Sequence, residues 1–401
     1  MNIGQFDISI DKLDEYCSEK FGLQVREQKI RDRRKRPVIP ASTILKSIRE
    51  MPVLGQTSLL AVDQYARSVE AKVWHKSKKE DMVVSDTTLP RVLEGVDREA
   101  VMEMPYEVVR QLDEEGSWDW RLSTGRKIRA AGIMDGSCFG GFWASVLMVA
   151  GKTEAVLDLE PYEGRGHELE ASRRVLRRAT EKLGKEFFDL ILADGLYPTR
   201  EDFWLCREEL GSDLLVKTEE ESLSVIQDAR SLFFTRQGKV REDMKRVEGL
   251  DSERRIEYEV VWAEGFQWQG LEYPLTVAWV REKHLKPLKG RPEVVGFWVL
   301  TTFQGLVGEE LRELAHGRWR IENGVFKRLN ALVQSKHYAS HSSRVQEMLL
   351  RLWMLGLTLL GAYLFQQGLD LIRETWESMK VTWRWITERM RLSVYALALG
   401  P

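Results

Sequence analysis

Residues 127–150 read KIRAAGIMDGSCFGGFWASVLMVA. Residues 127–134 form a strand-type run that enters Asp135, and residues 142–150 form a second strand after a Gly-rich turn. Residues 154–159 make a third. Downstream, Leu169, Val175, Leu176, Ala179 and Leu183 recur at helical spacing within 167–183, with charges on the other face. A buried strand, 190–193, then ends at Asp194; residues 200–210 read as a helix and 213–218 as another strand. Three meandering strands followed by alternating helix and strand predict a mixed α/β sheet.

The rhythm breaks over 219–295, where short alternating runs such as RIEYEVVW (255–262) and LEYPLTVAWV (271–280) predict a β-rich insertion. Residues 296–302 return as a core-type strand. Residues 309–336 form a long helix whose apolar positions include Leu311, Leu314, Trp319, Ile321, Val325, Phe326, Leu329 and Leu332. Residues 1–125 read as helical and polar. Ser42 stands as an N-cap before 44–51, and Ser85, Asp86 and Thr87 repeat that pattern before Leu89. The expected organisation is a helical region (1–125), an α/β core in two parts (126–218 and 296–340) around the insertion, and a helical, Leu- and Trp-rich region (341–401).

The length of 401 residues leans towards more than one domain. A composition 43% hydrophobic and 30% charged excludes a mostly disordered or collagen-like chain. Cys17, Cys138 and Cys206 lie too far apart for a disulfide framework or a Cys-rich zinc site and suit a reducing, cytoplasmic setting. The six histidines show no clustered ligand spacing, so any metal is expected on carboxylates. The N-terminal residues carry no basic start followed by an apolar run, so no secretory signal is expected. Residues 352–369 are uncharged, but Gly and Gln interrupt them, so a buried helix rather than a membrane span is expected. The net charge of −2 predicts no global field for nucleic acid, so a polyanion has to meet local patches. One such patch holds Arg26, Lys29, Arg31, Arg33, Arg34, Lys35 and Arg36; another holds His75, Lys76, Lys78 and Lys79. Both suit phosphate contact, and both equally suit a solvated face.

Three acidic residues stand out by position. Asp135 and Asp194 each end an apolar strand, and both are followed by Gly; Glu322 sits near the apolar side of the last long helix. Strands one and four of such a sheet are expected side by side, which brings the two aspartates together, with Glu322 reaching in from the helix. Asp-Gly after a strand is also a common turn, and a helical Glu is commonly solvated. Three converging carboxylates repel one another unless cations sit among them, and Mg²⁺ or Mn²⁺ is the natural occupant. Two such ions about 3.5–4 Å apart clamp both oxygens of a phosphodiester displacement. Asp189 begins its strand at the wrong end, and Asp158 and Glu160 are expected to face solvent.

The segment Arg318-Trp319-Arg320-Ile321-Glu322 resembles the helix motif of bacterial insertion-sequence DDE transposases of the cut-and-paste group with a Tyr–Arg–Glu–Lys signature. Ile133-Met134-Asp135-Gly136-Ser137 and Ala193-Asp194-Gly195-Leu196-Tyr197 resemble the surroundings of that family's two aspartates. The separations, 59 and 128 residues, suit it. The likeness covers roughly 85–340. Arg318 and Glu322 match the signature; its Tyr falls on Ala315 and its Lys on Leu329.

The resemblance implies a ribonuclease H-like core in which Asp135, Asp194 and Glu322 hold two Mg²⁺ or Mn²⁺ ions. The implied activity is DNA cleavage at transposon ends followed by transfer of the 3′ ends to target DNA. Double-stranded DNA (terminal inverted repeats and target) is the implied partner, with a homodimer in the complex, no membrane, and nucleoid association when bound. Arg318, Arg320, Lys327 and Arg328 are the implied phosphate contacts around the site, and Trp268, read as a loop tip, the implied base-stacking residue; Trp298 reads as core. Arg33, Arg34, Lys35 and Arg36, with the helix near 85–93, are candidates for reading the end sequence. The C-terminal region either pairs protomers or covers the core. Two alternatives stay open: a ribonuclease H-like nuclease that cuts without joining, and a transposase-derived DNA-binding protein without catalysis.

Overall fold

Apolar runs too long to alternate must be covered on both faces, and here they form the centre of a large sheet. The computed structural model of the chain describes residues 8–399 apart from Arg36, 69–83, Arg165, 288–289, 291, Tyr338 and 368–382. The second basic group, from His75 to Lys79, thus lies outside the described residues. Eleven strands are described: β1 Asp119–Arg121, β2 Lys127–Arg129, β3 Ala131–Phe139, β4 Phe142–Ala150, β5 Glu154–Tyr162, β6 Leu190–Ala193, β7 Asp213–Thr218, β8 Lys245–Asp251, β9 Ile256–Phe266, β10 Leu275–His284 and β11 Val294–Thr301. β1 and β2 form a small hairpin. The other nine make one mixed sheet in the order β5-β4-β3-β6-β7-β11-β10-β9-β8. β3, β6 and β7 run parallel, and their other pairings are antiparallel.

The helices are α1 Ile10–Phe21, α2 Leu23–Lys29, α3 Ala41–Leu54, α4 Leu59–Ala66, α5 Thr88–Gly95, α6 Arg98–Glu114, α7 Glu168–Leu183, α8 Arg200–Trp204, α9 Ser224–Phe233, α10 Gly308–Gly317, α11 Lys327–Val333, α12 Ser343–Gln366 and α13 Trp383–Leu399. Wider π-type turns occupy Leu205–Leu210, after α8, and Ile321–Phe326, before α11. The mixed α/β class with a large sheet and helices therefore matches expectation.

Several details differ. The run 127–134 is not one strand. Ala130 turns into the left-handed region at φ 46°, so the chain leaves the hairpin and enters the sheet at Ala131. Asp135 does not end β3, which continues to Phe139; it lies two residues beyond the last parallel pairing, Ile133 with Leu192. Residues 219–295 supply α9 and three strands, and those strands prolong the same sheet through β11. The last long helix is interrupted at Arg318 and widened from Ile321. Ser42 is no N-cap, because α3 already begins at Ala41 after Pro40. Ser85 does help α5, accepting the Thr88 backbone N–H at 3.3 Å.

Asp158 does not face solvent. It is 3% exposed and accepts from Tyr106 Oη (2.7 Å), Arg178 Nε (2.6 Å), Arg351 Nη1 (2.7 Å) and the Leu159 N–H (2.7 Å). Burial pushes its carboxyl up, but the guanidiniums of Arg351 and Arg178 outweigh that and hold it below the usual range. Glu160, half-buried, pairs with Arg174 and Arg178. α6, β5, α7 and α12 are thereby tied at one buried charge cluster.

α12 is one described helix long and apolar enough to cross a membrane, with mean hydropathy 1.7 over its most apolar 18 residues, yet 89% of that stretch is buried inside the molecule. It packs on α3 and β5. Gly356 permits the crossing, since a Cβ there would stand 2.0 Å from the Arg49 carbonyl oxygen. This burial is compatible with a soluble protein.

Removing one member of a buried charge cluster leaves the others uncompensated, at a cost of about 3–5 kcal/mol. Arg351→Met is therefore expected to lower the thermal midpoint markedly. The wild-type contribution of Asp158 is present above the ordinary carboxyl range and lost as pH falls through its depressed folded value. The mutant's deficit should thus be full at pH 7 and shrink on strong acidification, read by thermal melts across pH.

Candidate active site

Register brings the two aspartates together. Ile133 pairs with Leu192, so Asp135 and Asp194 stand level one step past the end of β6. Adjacent strands lie about 4.8 Å apart. Asp135 is buried, at 8% exposure, and Asp194 is half-buried in the turn that follows, its Oδ1 accepting the Leu196 N–H at 2.9 Å. Glu322 enters from the widened helical turn. π-type turns inside helices are frequent at functional sites because they re-aim side chains.

Arg318 joins these groups. Its Nη1 donates to Asp135 Oδ2 at 3.2 Å and its Nη2 to Glu322 Oε1 at 2.8 Å, while its buried Nε has no hydrogen-bond partner. The ion pair with Glu322, four residues on, is an intrahelical one, and the contact with Asp135 ties the helix to β3. Among the described residues, no three His, Cys, Asp or Glu side chains stand together as a ready metal cage. A guanidinium bridging Asp135 and Glu322 accounts for the spacing between those two.

A fourth carboxylate, missed in the sequence, completes the group. Glu168, the first residue of α7, accepts from Tyr197 Oη at 3.0 Å and Tyr162 Oη at 3.3 Å. Tyr197 continues through Ser172 to Ser145, at 2.7 Å for each link. Glu168 lies so close over Gly136 that a Cβ there would stand 2.3 Å from its carboxyl carbon. That fit explains the glycine after Asp135 better than a turn does, since Gly136 is mid-strand. The only sequence signal for Glu168 was its place at the start of the helix after the third strand.

Burial pushes the Asp135 carboxyl up to about 7; Arg318 opposes this, and the negative charges of Asp194, Glu322 and Glu168 add to it. Burial and the nearby Asp194 raise Glu168 above the usual range despite the tyrosine hydroxyls. Lys217, on β7, was also missed. Burial pulls its ammonium down to about 8, opposed by Glu282. Next to it, His316 Nε2 stands 2.7 Å from Glu282 Oε1, which also accepts from Arg312 at 2.6 Å. Burial raises Glu282, but His316 and Arg312 bring it down to about 2.

The remaining candidates divide. Trp268 is not an exposed loop tip: its ring is 5% exposed, edge-on to Phe203 at 6.0 Å and beneath the Arg200 guanidinium. Trp298 is core, as expected, at 1% exposure. Arg320 is turned away from the carboxylates and held by Glu154 Oε1 (2.8 Å), the Gly151 carbonyl (3.2 Å) and the Trp120 ring. Arg328 is likewise engaged with Glu154 and the Trp383 ring. Lys327 is exposed and bonds Asn323. Ala315 and Leu329 are fully buried, so neither signature position faces a ligand. Arg33 and Lys35 are exposed, Arg34 is tied to Asp32 and the Ile39 carbonyl, and Arg36 lies outside the described residues. Arg33 packs on Gly95, so the basic segment and α5 form one surface.

An unforeseen open groove of about 980 Å³ lies between α9 and the outer strands. Arg230, Arg236, Lys239, Arg241, Arg246 and Arg281 line it, with Trp279 and Trp298 behind. Arg236, Lys239, Arg246 and Arg281 have no ion pair with any described residue.

No protein-family model matches this chain, and no curated protein matches it.

The raised Asp135 carboxyl has a stability consequence. In the unfolded chain it ionises near pH 4, and in the folded one near 7. Folded stability from this group therefore falls as pH rises between those values. Asp135→Asn imitates the neutral form. Without divalent cation, it should raise the thermal midpoint at pH 8, on the order of a few degrees, and by less at pH 5.

Proposed function

We propose that the protein is a DNA transposase of the DDE type, cleaving at transposon ends and transferring the freed 3′ ends to target DNA. The observation that carries this reading is Arg318 joining Asp135 to Glu322, with Asp194 level with Asp135 in the register of the parallel strands. The strand order β5-β4-β3-β6-β7 supports it, being the order expected of a ribonuclease H-like core. The cationic groove and the joined basic segment and α5 support DNA as partner, since unpaired Arg and Lys on one face suit phosphates.

The donor set suits a hard divalent cation. All three carboxylates offer only oxygen, and the negative charge of Asp194 and Glu322, which adds to burial in raising Asp135, is what a cation relieves. Asp135, Asp194 and Glu322 would hold Mg²⁺ or Mn²⁺, which when bound acidifies water and offsets charge on the phosphoryl oxygens.

The chain's own residues do the positioning. In cleavage a water oxygen bonds to phosphorus, the P–O3′ bond breaks, and the water's proton leaves as the 3′ oxygen gains one. The same displacement, with that 3′-hydroxyl as nucleophile, joins the target strand. Arg318 sets the Asp135 and Glu322 carboxylates and brings positive charge next to the phosphate path. Glu168, locked by Tyr162 and Tyr197, holds the strand carrying Asp135 through its seat on Gly136. Pairing of two ends implies a homodimer in the DNA complex.

A second reading, end binding without cutting, is favoured by two observations: Arg318 already engages Asp135 and Glu322 in ion pairs, and Ala315 and Leu329 place no polar group beside them.

The deciding experiment incubates the protein and Asp135→Asn with Mg²⁺ and a supercoiled plasmid carrying the gene's own flanking sequence, mapping ends to the nucleotide. Cuts at matching inverted repeats are expected. The variant should cut slower on the order of a thousandfold, the scale of a lost transition-state electrostatic group. Repeat binding without cuts by either protein selects the second reading.

A further inference from the structure

A cavity of about 530 Å³ opens beside Asp194, lined by Lys217, Arg318 and Trp319 and, at its exposed rim, by Glu219 and Glu220. Lys217 arrives there by register. Ala193 pairs with Val216, so Lys217 stands level with Asp194 as Asp194 stands level with Asp135. The three residues form a row across β3, β6 and β7.

The Lys217 ammonium is held between two rings, with Nζ 4.0 Å from the Phe297 centroid and 4.1 Å from that of Trp319. It makes no hydrogen bond or ion pair with any described residue. Ring faces offer a cation about 0.5–2 kcal/mol and no acceptor for its N–H groups. Glu282, the carboxylate that acts most strongly on it, is taken by Arg312 and His316. Arg318 spends its Nη groups on Asp135 and Glu322. Lys217 is therefore the cavity's one cation without an ion pair among the described residues, half-buried and pointed by its rings.

We propose that Lys217 is a catalytic residue that donates a hydrogen bond to a non-bridging oxygen of the scissile phosphodiester. This rests on the phosphoryl-transfer reading above. The ammonium stays protonated throughout; it meets the negative charge that the attacked phosphate carries, and Phe297 and Trp319 fix its direction without competing for it. Asp194, directly beside it, would otherwise repel that phosphate.

The test uses the full chain and the flanking-sequence plasmid, comparing wild type, Lys217→Met and Lys217→Arg. Lys217→Met is expected to slow cleavage about a hundredfold, the scale of one lost charge-stabilising donor. Lys217→Arg should recover cleavage to within about tenfold of wild type, as a retained cation would. Binding of the mapped end duplex should stay within about threefold for both variants, which marks them as folded and the loss as one of rate. A methylphosphonate at the mapped scissile position, replacing one non-bridging oxygen by methyl, supplies a readout a structural role would not move. One stereoisomer should slow wild type strongly and Lys217→Met little further. Cleavage by Lys217→Met at the wild-type rate, or an equal methylphosphonate penalty in both, overturns this proposal alone. No cuts by wild type overturns the transposase reading and this one with it.

Discussion

Parallel pairing of three short strands is the constraint on which the rest of the molecule depends. Ala131–Ile133 against Leu190–Leu192, and Leu190–Ala193 against Asp213–Val216, set one register across β3, β6 and β7. Side chains in register point to the same face, so the residues just past the pairings, Asp135, Asp194 and Lys217, arrive as a row. A slip of one residue in any strand would send its member to the opposite face. The paired segments are apolar and buried on both faces, which puts them at the centre of the sheet.

That row is electrostatically costly, and much of the surrounding structure answers it. Burial above all, with the charges of Asp194, Glu322 and Glu168 added, raises the Asp135 carboxyl far above its ordinary value. Arg318 relieves part of the repulsion from a helix that breaks at that residue and widens at the next turn. Glu168 is restrained by two tyrosine hydroxyls and seated on a glycine that leaves it room. A site assembled from four elements stays in place only if those elements do. The buried Asp158 cluster, which joins α6, β5, α7 and α12 at one carboxylate, supplies that rigidity on the neighbouring strands.

Residues with similar sequence signals met different fates, and the partners explain why. Arg318 and Arg320 sit two positions apart in one motif, yet a helix turns about 200° between them, so one faces Asp135 and the other Glu154. Trp268 lies in a turn between polar residues, but its ring folds inward onto Phe203. Asp158 alternates with apolar residues as a solvent-facing strand residue would; two arginines from remote helices make its burial tolerable. The cationic groove draws on residues from 230 to 281, each unremarkable in its own stretch.

The sequence by itself determined the order of the core elements and singled out Asp135, Asp194 and Glu322 by their positions in it. Those signals are local: apolar run length, turn residues and helical spacing are written in consecutive positions. Only the tertiary structure decided that the outer strands extend one sheet, that Ala130 splits the first run, and that Glu168 and Lys217 belong beside the aspartates. It also decided which charges are spent inside the protein and which are left for a partner. Those outcomes depend on what a side chain meets across the fold, on burial and on opposite charge, and no stretch of neighbouring residues encodes them.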